Sequence, residues 1–270
     1  MRYKLLALDM DGTTLNSEKK ISPKTAQAIF ELSKSGVHVV LSTGRGLAEV
    51  TDYKEELKFM NYGILVSGGY VYDFKNFKAV SAHPLGENSL MKLIDAGLEE
   101  KAMMHILTVD KSMMNREDIA HIENFHMEIY KDMYERNTID CKDFKKFVRE
   151  NPDKIMKFNM YHRDKESRQR NFERLKNEPL TFSYAEETAL EASPKGITKA
   201  SGLHELCDFL KIDISETVAV GDAPNDLEIL QAAGVAAVMG NAKDEIKKVA
   251  DFVTDDNDHD GVVKVIEKFF

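Results

Sequence analysis

Acidic and hydroxyl-bearing residues follow three apolar runs of this 270-residue chain. Residues 9–13 (DMDGT) follow the run that begins at Tyr3, residues 42–45 (STGR) follow a second run, and residues 221–226 (GDAPND) follow a third. In an open parallel sheet the ligand sits outside the carboxyl ends of the strands. If the three runs are strands of one parallel sheet, these clusters are expected to converge at one edge of it.

The first cluster carries two carboxylates, Asp9 and Asp11, on either side of one residue. The chain does not need to stay extended after Asp9. A turn at Gly12 would let the carboxylate of Asp11 swing toward that of Asp9. Such a pair can divide the work of covalent phosphoryl transfer: one carboxylate attacks, and the other donates and then accepts a proton. The pair by itself does not say which carboxylate takes which role.

Clustered carboxylates repel one another unless a cation lies among them. Oxygen-rich sites that handle phosphate favour Mg²⁺, so Mg²⁺ is the predicted cofactor. Asp222 is the expected further ligand, and Asp226 is expected either to bind the metal directly or to support it from behind. For each aspartate taken alone, a role as turn residue or helix N-cap remains the alternative.

The elements that would position these residues follow a βαβ pattern. Residues 3–8 predict a buried strand, Ser22-Pro23 opens a helix that ends at Gly36, and residues 37–41 predict the next strand. Ala26, Ile29, Phe30 and Ser33 are expected to share one face of that helix. A strand, helix and strand within about 40 residues indicate parallel pairing with a right-handed crossover.

The same pattern returns near the end of the chain, with strands predicted at 217–220 and 235–239 and helices at 225–233, 243–249 and 261–269. Between the two ends, helices at 88–100, 143–150 and 164–177 alternate with strands at 105–109, 155–161 and 180–184. We therefore predict an α/β fold: a Rossmann-like parallel core built from residues 1–83 and 187–270, with an inserted α/β cap at residues 84–186.

Composition excludes several classes of protein. The chain holds 37 Lys+Arg and 46 Asp+Glu, a formal net charge of −9, which argues against a nucleic-acid partner or a membrane surface. The amino-terminal apolar run is too short for a signal peptide. The two cysteines, Cys141 and Cys207, form no CxxC pair and predict small buried residues in a reducing compartment. A cytoplasmic protein with no obligate protein partner is expected.

The ordered set of motifs resembles that of the haloacid-dehalogenase-like phosphatases, in particular the Cof-type subfamily with an inserted type IIB α/β cap. The residues that carry the resemblance are Asp9-Met10-Asp11-Gly12-Thr13, Thr43-Gly44-Arg45, Lys199 with its approach Lys195-Gly196-Ile197-Thr198, Gly221-Asp222-x-x-Asn225-Asp226, Met239-Gly240-Asn241-Ala242 and Asp260-Gly261-Val262. The resemblance spans the whole chain and implies a haloacid-dehalogenase (HAD)-like fold, which agrees with the α/β core and inserted cap predicted above.

The resemblance also implies roles for individual residues. Asp9 would be the nucleophile that becomes an aspartyl phosphate, and Asp11 would protonate the leaving alkoxide and then activate water. The metal would be held by Asp9, the backbone carbonyl of Asp11, and Asp222. The Thr43 hydroxyl, the Gly44 amide and the Lys199 ammonium would face the phosphoryl oxygens.

Three further candidate contacts to phosphate or substrate are Gly12, Arg45 and Asn225. Arg45 would form a bidentate clamp or pair with Glu49 four residues on. Asn225 would reach the substrate, cap the following helix, or do both. For Lys199 the alternative is an ordinary solvated helix residue.

Two positions depart from the subfamily pattern. Ser67-Gly68-Gly69 stands where Asn-Gly-Ala is usual, and Thr14 replaces a usually apolar residue. Gly68 retains the freedom for a close backbone approach. Neither departure touches the expected nucleophile or metal ligands, so they bear on specificity.

The predicted function is a Mg²⁺-dependent phosphatase for a small phosphorylated metabolite such as a sugar phosphate, with a cap that excludes water and selects the substrate. The enzymatic alternative is a phosphohexomutase with the same nucleophile. The alternative outside enzymes is a phosphate-binding or signalling module, which would need neither Asp11 nor a large cap.

Overall fold

The computed structural model describes residues 2–184 and 186–270. The chain forms two compact units. The first comprises residues up to Gly44, Tyr53–Ser81 and Thr198–Phe270; the second comprises Arg45–Asp52 and Ala82–Ile197.

The strands are numbered in chain order. They are β1 (Leu5–Leu8), β2 (His38–Ser42), β3 (Tyr62–Leu65), β4 (Tyr70–Asp73), β5 (Lys78–Ala82), β6 (Met103–Thr108), β7 (Ser112–Met114), β8 (Thr138–Asp140), β9 (Ile155–Tyr161), β10 (Leu180–Ser183), β11 (Ala189–Pro194), β12 (Thr217–Gly221), β13 (Val235–Val238) and β14 (Phe252–Val253).

The helices are numbered in the same way. They are α1 (Pro23–Lys34), α2 (Leu47–Val50), α3 (Lys54–Leu57), α4 (Glu87–Glu99), α5 (Arg116–Ala120), α6 (Lys131–Asn137), α7 (Phe144–Glu150), α8 (Lys165–Leu175), α9 (Lys199–Leu210), α10 (Leu227–Ala232), α11 (Asp244–Lys247) and α12 (Gly261–Phe269).

The eight-stranded sheet has the order β14-β13-β12-β1-β2-β3-β4-β5. The pairs from β14 through β3 are parallel, and the β3–β4 pair is antiparallel. All four residues of β1 are buried, as expected of a central strand covered on both faces. Side chains of β1, β2, β3 and β12 share one apolar core with those of α9 and α10. This parallel arrangement confirms the predicted fold class.

The six-stranded sheet belongs to the second unit and has the order β10-β11-β9-β6-β7-β8. Its pairs are antiparallel except β7–β8. One face packs its apolar side chains, including Met104 and Phe158, with residues of α4 and α7. The other face contributes Met103 and Tyr161 to a second apolar cluster.

The predicted cap boundaries, 84–186, differ from the compact units. Strand β11, which follows residue 186, pairs with β9 and β10 and therefore lies in the second unit. The short segment Arg45–Asp52 also lies in that unit although it follows β2. Neither β11 nor the segment Arg45–Asp52 carries a local sequence pattern that shows which unit it joins.

Helix α1 begins as predicted, because Ser22 caps it by accepting a hydrogen bond from the amide of Thr25 and Pro23 fills the first position. The four residues expected to share one face of α1 are not equally buried. Thr25, Ile29 and Leu32 are buried, whereas Ala26, Phe30 and Ser33 are only half-buried. Thr25 can be buried because its hydroxyl donates to Asp260 Oδ1 at 3.2 Å.

Both cysteines are buried and free, as predicted, and burial raises the pKa of each thiol to about 11. Among the helices formed by the described residues, none combines the length and apolar character needed to cross a bilayer.

Candidate phosphoryl-transfer site

The carboxyl ends of β1 and β12 place Asp9 and Asp222 side by side in the first unit. In the parallel register Leu8 pairs with Val220, and the Asp9 amide continues the ladder by donating to the Val220 carbonyl at 3.0 Å. The predicted meeting of the amino-terminal and carboxy-terminal clusters at one sheet edge is therefore what the structure contains.

The turn after β1 closes directly onto Asp222. Gly12 adopts φ +79°, and a Cβ there would lie 2.4 Å from Asp222 Oδ2, so both the turn and the close approach require glycine. Thr13 Oγ1 donates to Asp222 Oδ1 at 2.8 Å. Asn241 Nδ2 donates to the Gly12 carbonyl at 2.9 Å and lies 3.4 Å from Asp222 Oδ2. The turn thereby fixes the orientation of the Asp222 carboxylate.

Lys199 joins two of the carboxylates. Its Nζ lies 2.6 Å from Asp9 Oδ1 and 2.6 Å from Asp226 Oδ1, and its side chain is 1% exposed. Burial alone would lower the pKa of Lys199, but the charges of Asp226 and Asp9 outweigh it, so the pKa is raised. Lys199 is therefore a buried cation of the site, and the alternative of a solvated helix residue is wrong.

A close backbone approach sets where α9, and with it Lys199, begins. A Cβ on Gly68 would lie 2.0 Å from the Thr198 carbonyl oxygen, and Gly68 adopts φ +96°. The amide of the preceding residue, Ser67, donates to the Thr43 carbonyl at 3.0 Å. Thr198 caps α9 by accepting from the amide of Ser201. Gly68, the glycine that this chain shares with the usual subfamily pattern, thus allows the loop after β3 to pack against the start of α9.

Asp9, Asp222 and Asp226 form a cluster whose carboxylate oxygens can lie within 4.8 Å of one another. Burial, with repulsion from Asp226, raises the pKa of Asp9 well above its usual range, although Lys199 opposes this. Burial and the charge of Asp226 raise the pKa of Asp222 to about 6. Without a further cation, each of these two carboxyl groups therefore ionises less readily than an exposed aspartate.

Both carboxylate oxygens of Asp226 already accept hydrogen bonds from neighbouring groups. Its Oδ1 accepts from Lys199, and its Oδ2 accepts from the backbone amides of Asp222 and Ala223, both at 3.1 Å. The carboxylate thereby holds the Asp222 loop and Lys199 together. This arrangement favours the support role for Asp226 over direct metal binding, the two alternatives that the sequence left open.

The described residues fit a divalent cation of the kind that prefers oxygen ligands. Asp9 and Asp222 are two carboxylates at adjacent strand ends, one mostly and one partly buried, and their pKa values are raised by burial and then by the charge of Asp226. A cation between them would relieve that repulsion, and Asp226 and Lys199 would hold the surroundings in place. The donor set consists of oxygen atoms, without sulfur or imidazole.

Asp11 makes a contact that sequence reasoning missed. Its Oδ1 accepts from Lys19 Nζ at 2.8 Å, and both side chains are about a quarter exposed, at 28% and 27%. A lysine eight residues along in a loop carries no pattern that singles it out. Thr14, the other departure from the subfamily, is buried and donates to the Asp9 carbonyl at 2.5 Å.

The remaining predicted residues divide between the two units. Thr43 is buried in the first unit, where its amide donates to the Ile64 carbonyl at 2.9 Å, and Gly44 follows it. Arg45 lies in the second unit with 8% of its surface exposed. Burial raises the pKa of Glu49, and the Gly46 amide and the charge of Arg45 partly oppose this.

Asn225 does not cap α10, because the N-cap position of that helix is Asp226. Asn225 lies inside the 3₁₀ turn Pro224–Asp226, and its buried Oδ1 has no hydrogen-bond partner among the described residues. A buried acceptor without a partner is costly unless a donor reaches it. Of the two alternatives, a contact with a ligand is favoured.

The chain is similar to known proteins over nearly its whole length. A family model described as haloacid dehalogenase-like hydrolase matches residues 6–266. The chain belongs to this family, which confirms the resemblance predicted from its motifs.

Similar proteins are phosphatases by name. The chain is 31% identical to the 5-amino-6-(5-phospho-D-ribitylamino)uracil phosphatase YcsE of Bacillus subtilis over 264 residues, covering 97% of this chain and 94% of YcsE. It is 30% identical to a putative phosphatase, M6_Spy0533, of Streptococcus pyogenes, covering 100% of this chain and 99% of that protein.

Solved structures share the fold over its full length. A haloacid dehalogenase-like hydrolase from B. subtilis superposes with a TM-score of 0.88 at 26% identity, covering 99% of this chain and 100% of that one. The subclass IIB sugar phosphatase BT4131 superposes with a TM-score of 0.86 at 20% identity, covering 98% of each chain, a likeness of fold. Together with the named relatives, these matches identify the chain as a phosphatase, a hydrolase of phosphoric monoesters.

Proposed function

We propose that this chain is a Mg²⁺-dependent phosphatase that hydrolyses phosphomonoesters of small metabolites through an aspartyl phosphate on Asp9. The observation that carries the proposal is the buried contact of Lys199 with Asp9 and Asp226, beside Asp222. It supplies a nucleophile, a fixed cation and a second carboxylate at one sheet edge. Such a site suits phosphoryl transfer, in which positioning and electrostatic stabilisation do most of the work.

In the first step a carboxylate oxygen of Asp9 attacks phosphorus, and the bond from phosphorus to the ester oxygen breaks. Asp11 gives its proton to the departing alkoxide, which leaves as an alcohol. In the second step Asp11, now a carboxylate, takes a proton from water as the water oxygen attacks phosphorus. The Asp9–phosphate bond breaks, and inorganic phosphate is released with Asp9 regenerated.

Asp9, Asp222 and the backbone carbonyl of Asp11 would hold the Mg²⁺. The bound metal supplies positive charge that keeps the carboxylates ionised and neutralises phosphoryl oxygens. Asp226 holds the Asp222 loop and Lys199 by its two oxygens, so it acts from behind the metal ligands.

Charge on the peripheral phosphoryl oxygens would be met by the Lys199 ammonium, the Thr43 hydroxyl and the Gly44 amide. Gly12, Arg45 and Asn225 are proposed further contacts with phosphate or substrate. Lys199 together with a bound Mg²⁺ would explain how a protein of net charge −9 can accept an anion, because nearby cations outweigh distant, screened charge.

We propose a sugar phosphate as the substrate class, as predicted from the sequence. A relative at 31% identity is named for 5-amino-6-(5-phospho-D-ribitylamino)uracil, a phosphate ester on a sugar-alcohol chain, which makes that compound a second candidate. A phosphohexomutase would use the same nucleophile but return the phosphoryl group to another sugar hydroxyl.

The test is a panel of phosphorylated metabolites, including hexose phosphates and 5-amino-6-(5-phospho-D-ribitylamino)uracil, assayed with and without Mg²⁺ for free phosphate and for isomerised sugar. Phosphate release that needs Mg²⁺, with an acid-stable ³²P label on the wild-type chain that Asp9→Asn lacks, would support the proposal. Isomer without phosphate would favour the mutase. Full activity in Asp9→Asn would overturn the assigned nucleophile.

A further inference from the structure

We propose that Lys19 is a positioning residue for the reaction: it holds the Asp11 carboxylate by Oδ1 and so directs proton donation to Oδ2. This inference rests on the proposed function, because it assigns a partner to the proposed acid. It adds a residue that is not part of the motifs quoted for the resemblance in the sequence analysis.

The contact itself is short and partly shielded. Lys19 Nζ lies 2.8 Å from Asp11 Oδ1, with 27% and 28% of the two side chains exposed. Fully exposed ion pairs hold geometry weakly, whereas partial burial strengthens a charge-assisted hydrogen bond. A carboxylic acid whose Oδ1 accepts from the ammonium can still carry its proton on Oδ2.

The turn that presents Lys19 is built by hydrogen bonds. Asn16 Oδ1 accepts from the amides of Glu18 at 3.1 Å and Lys20 at 2.9 Å. The Lys19 amide donates to the Asn16 carbonyl at 2.9 Å, and the Asn16 amide donates to the Lys20 carbonyl at 2.9 Å. The backbone around Lys19 is thus held on both sides, which limits where its side chain can go.

Two further features of the Lys19 backbone bear on why a lysine stands at this position. Tyr53 donates from its hydroxyl to the Lys19 carbonyl at 3.1 Å, tying the turn to a distant segment of the first unit. Lys19 has φ +58°, a conformation that glycine adopts more readily than any residue with a Cβ. The backbone conformation of the turn therefore does not explain why residue 19 is a lysine. The ion pair with Asp11 does explain it, because it requires a side-chain cation.

The consequence for rate depends on the leaving group. A proton from Asp11 matters when the departing oxygen is strongly basic, and matters little when it is a stable anion. Phenyl phosphate and p-nitrophenyl phosphate are similar in shape but differ in this respect, since nitrophenolate leaves readily without a proton. Because kcat/KM covers the steps up to phosphoryl transfer, it separates proton donation from the later hydrolysis of the phosphoenzyme.

The experiment compares kcat/KM on these two esters for wild type, Lys19→Met, Lys19→Arg and Lys20→Met. We expect Lys19→Met to lose roughly tenfold on phenyl phosphate, the scale of a charge-assisted hydrogen bond, and less than about twofold on p-nitrophenyl phosphate. Lys19→Arg should recover much of the loss. Lys20 is the matched control, because it lies on the same turn, is mostly exposed and pairs with Glu18; its variant should match wild type on both esters.

Lys19→Gly guards against a folding artefact, since glycine suits the backbone at this position while removing the ammonium. It should melt no lower than wild type and show the same selective loss. An equal loss on both esters, no loss, or a gain on phenyl phosphate from a more readily protonated Asp11 would overturn the positioning role. Failure of the proposed function would look different: wild type itself would hydrolyse neither ester, or Asp9→Asn would remain active.

Discussion

Lys199 Nζ and Asp9 Oδ1 lie 2.6 Å apart although 190 positions separate the two residues in the chain. The lysine also contacts Asp226 at 2.6 Å, so one ammonium is shared between two carboxylates in a buried site. Removing one partner of a buried ion pair leaves an uncompensated charge, and this defines the first prediction.

Lys199→Met is expected to destabilise the fold as well as to abolish turnover. Methionine keeps most of the side-chain volume but leaves Asp9 and Asp226 facing each other without the cation. The expected loss in the free energy of unfolding is about 3 to 5 kcal/mol at neutral pH without divalent ions. Urea unfolding measures it, and Lys195→Met, a change at a lysine outside this ion pair, serves as the control. A variant as stable as wild type would contradict the account of Lys199 as the partner of both carboxylates.

Asp9→Asn is expected to abolish turnover without lowering the free energy of unfolding at neutral pH in the absence of divalent ions. The reason is that burial and Asp226 raise the pKa of Asp9 well above its usual range, so the ionised form is disfavoured in the folded chain. A neutral isostere relieves that repulsion. Phosphate release and urea unfolding, measured on the same preparation, test both halves. Stability several kcal/mol below wild type would show that the negative charge at this position is needed for folding.

Divalent cations are expected to stabilise the wild-type chain and to act weakly on Asp222→Asn. A ligand that binds only the folded state stabilises it by RT ln(1 + [L]/Kd), or about 2.7 kcal/mol at a hundred times Kd. Thermal melting across a Mg²⁺ titration measures this without any substrate. Because Thr13 can still donate to the remaining side-chain oxygen and Asn241 keeps its shorter hydrogen bond to the Gly12 carbonyl, the variant should fold in the absence of the metal. Equal Mg²⁺ responses in both proteins would place the cation elsewhere.

The motifs after β1, β2 and β12 could be assigned to one site from the sequence because parallel strands end at a common sheet edge. Asp9 and Asp222 met as predicted, since the register of β1 on β12 follows from two short, fully buried runs. The pairing of Asp11 with Lys19 could not be predicted, because it depends on the conformation of a five-residue turn.

Other features also lay beyond the sequence pattern. Thr25 is buried in α1 because its hydroxyl donates a hydrogen bond to Asp260, 235 positions along the chain. A search for helical periodicity considers only apolar residues and therefore does not detect it. Strand β11 joins the second sheet through pairing with β9, which no local propensity encodes. The sequence identified which residue types meet at the site, and tertiary contacts decided how each carboxylate is oriented.

Gly68→Ala is expected to destabilise the chain far more than Gly36→Ala. The two glycines have similar φ angles, +96° and +90°, but a Cβ on Gly68 would lie 2.0 Å from the Thr198 carbonyl oxygen, whereas a Cβ on Gly36 meets nothing within 4 Å. The control therefore carries only the conformational penalty, about 1 to 2 kcal/mol. Gly68→Ala should cost a further 1 to 3 kcal/mol or so from overpacking, measured by urea unfolding.

A displaced α9 would also move Lys199, so Gly68→Ala should lower kcat in the fraction that stays folded. Gly36→Ala should keep the wild-type kcat. Equal losses of stability in the two variants would show that the loop after β3 can withdraw from α9 at little cost.

His105 is expected to make the fold sensitive to mild acid. The residue is 1% exposed, its Nε2 lies 2.6 Å from Ser112 Oγ, and burial, with a smaller effect of Lys157, lowers its pKa to about 3. The unfolded chain takes up this proton near pH 6.5, at about the ordinary pKa of histidine. Between these values the unfolded state binds more protons, so stability falls as the pH falls below about 6.5.

The comparison that isolates this effect is the free energy of urea unfolding for wild type and His105→Gln from pH 8 to pH 5. Glutamine keeps a polar side chain beside Ser112 but does not titrate, so the variant should lose about 2 kcal/mol less than wild type over this range. Taking the difference cancels the contributions of titrating groups remote from His105, which are common to both proteins. His121→Gln, at an exposed histidine of the same unit, should follow wild type. Parallel pH profiles for wild type and His105→Gln would mean that the buried imidazole accepts its proton without unfolding the second unit.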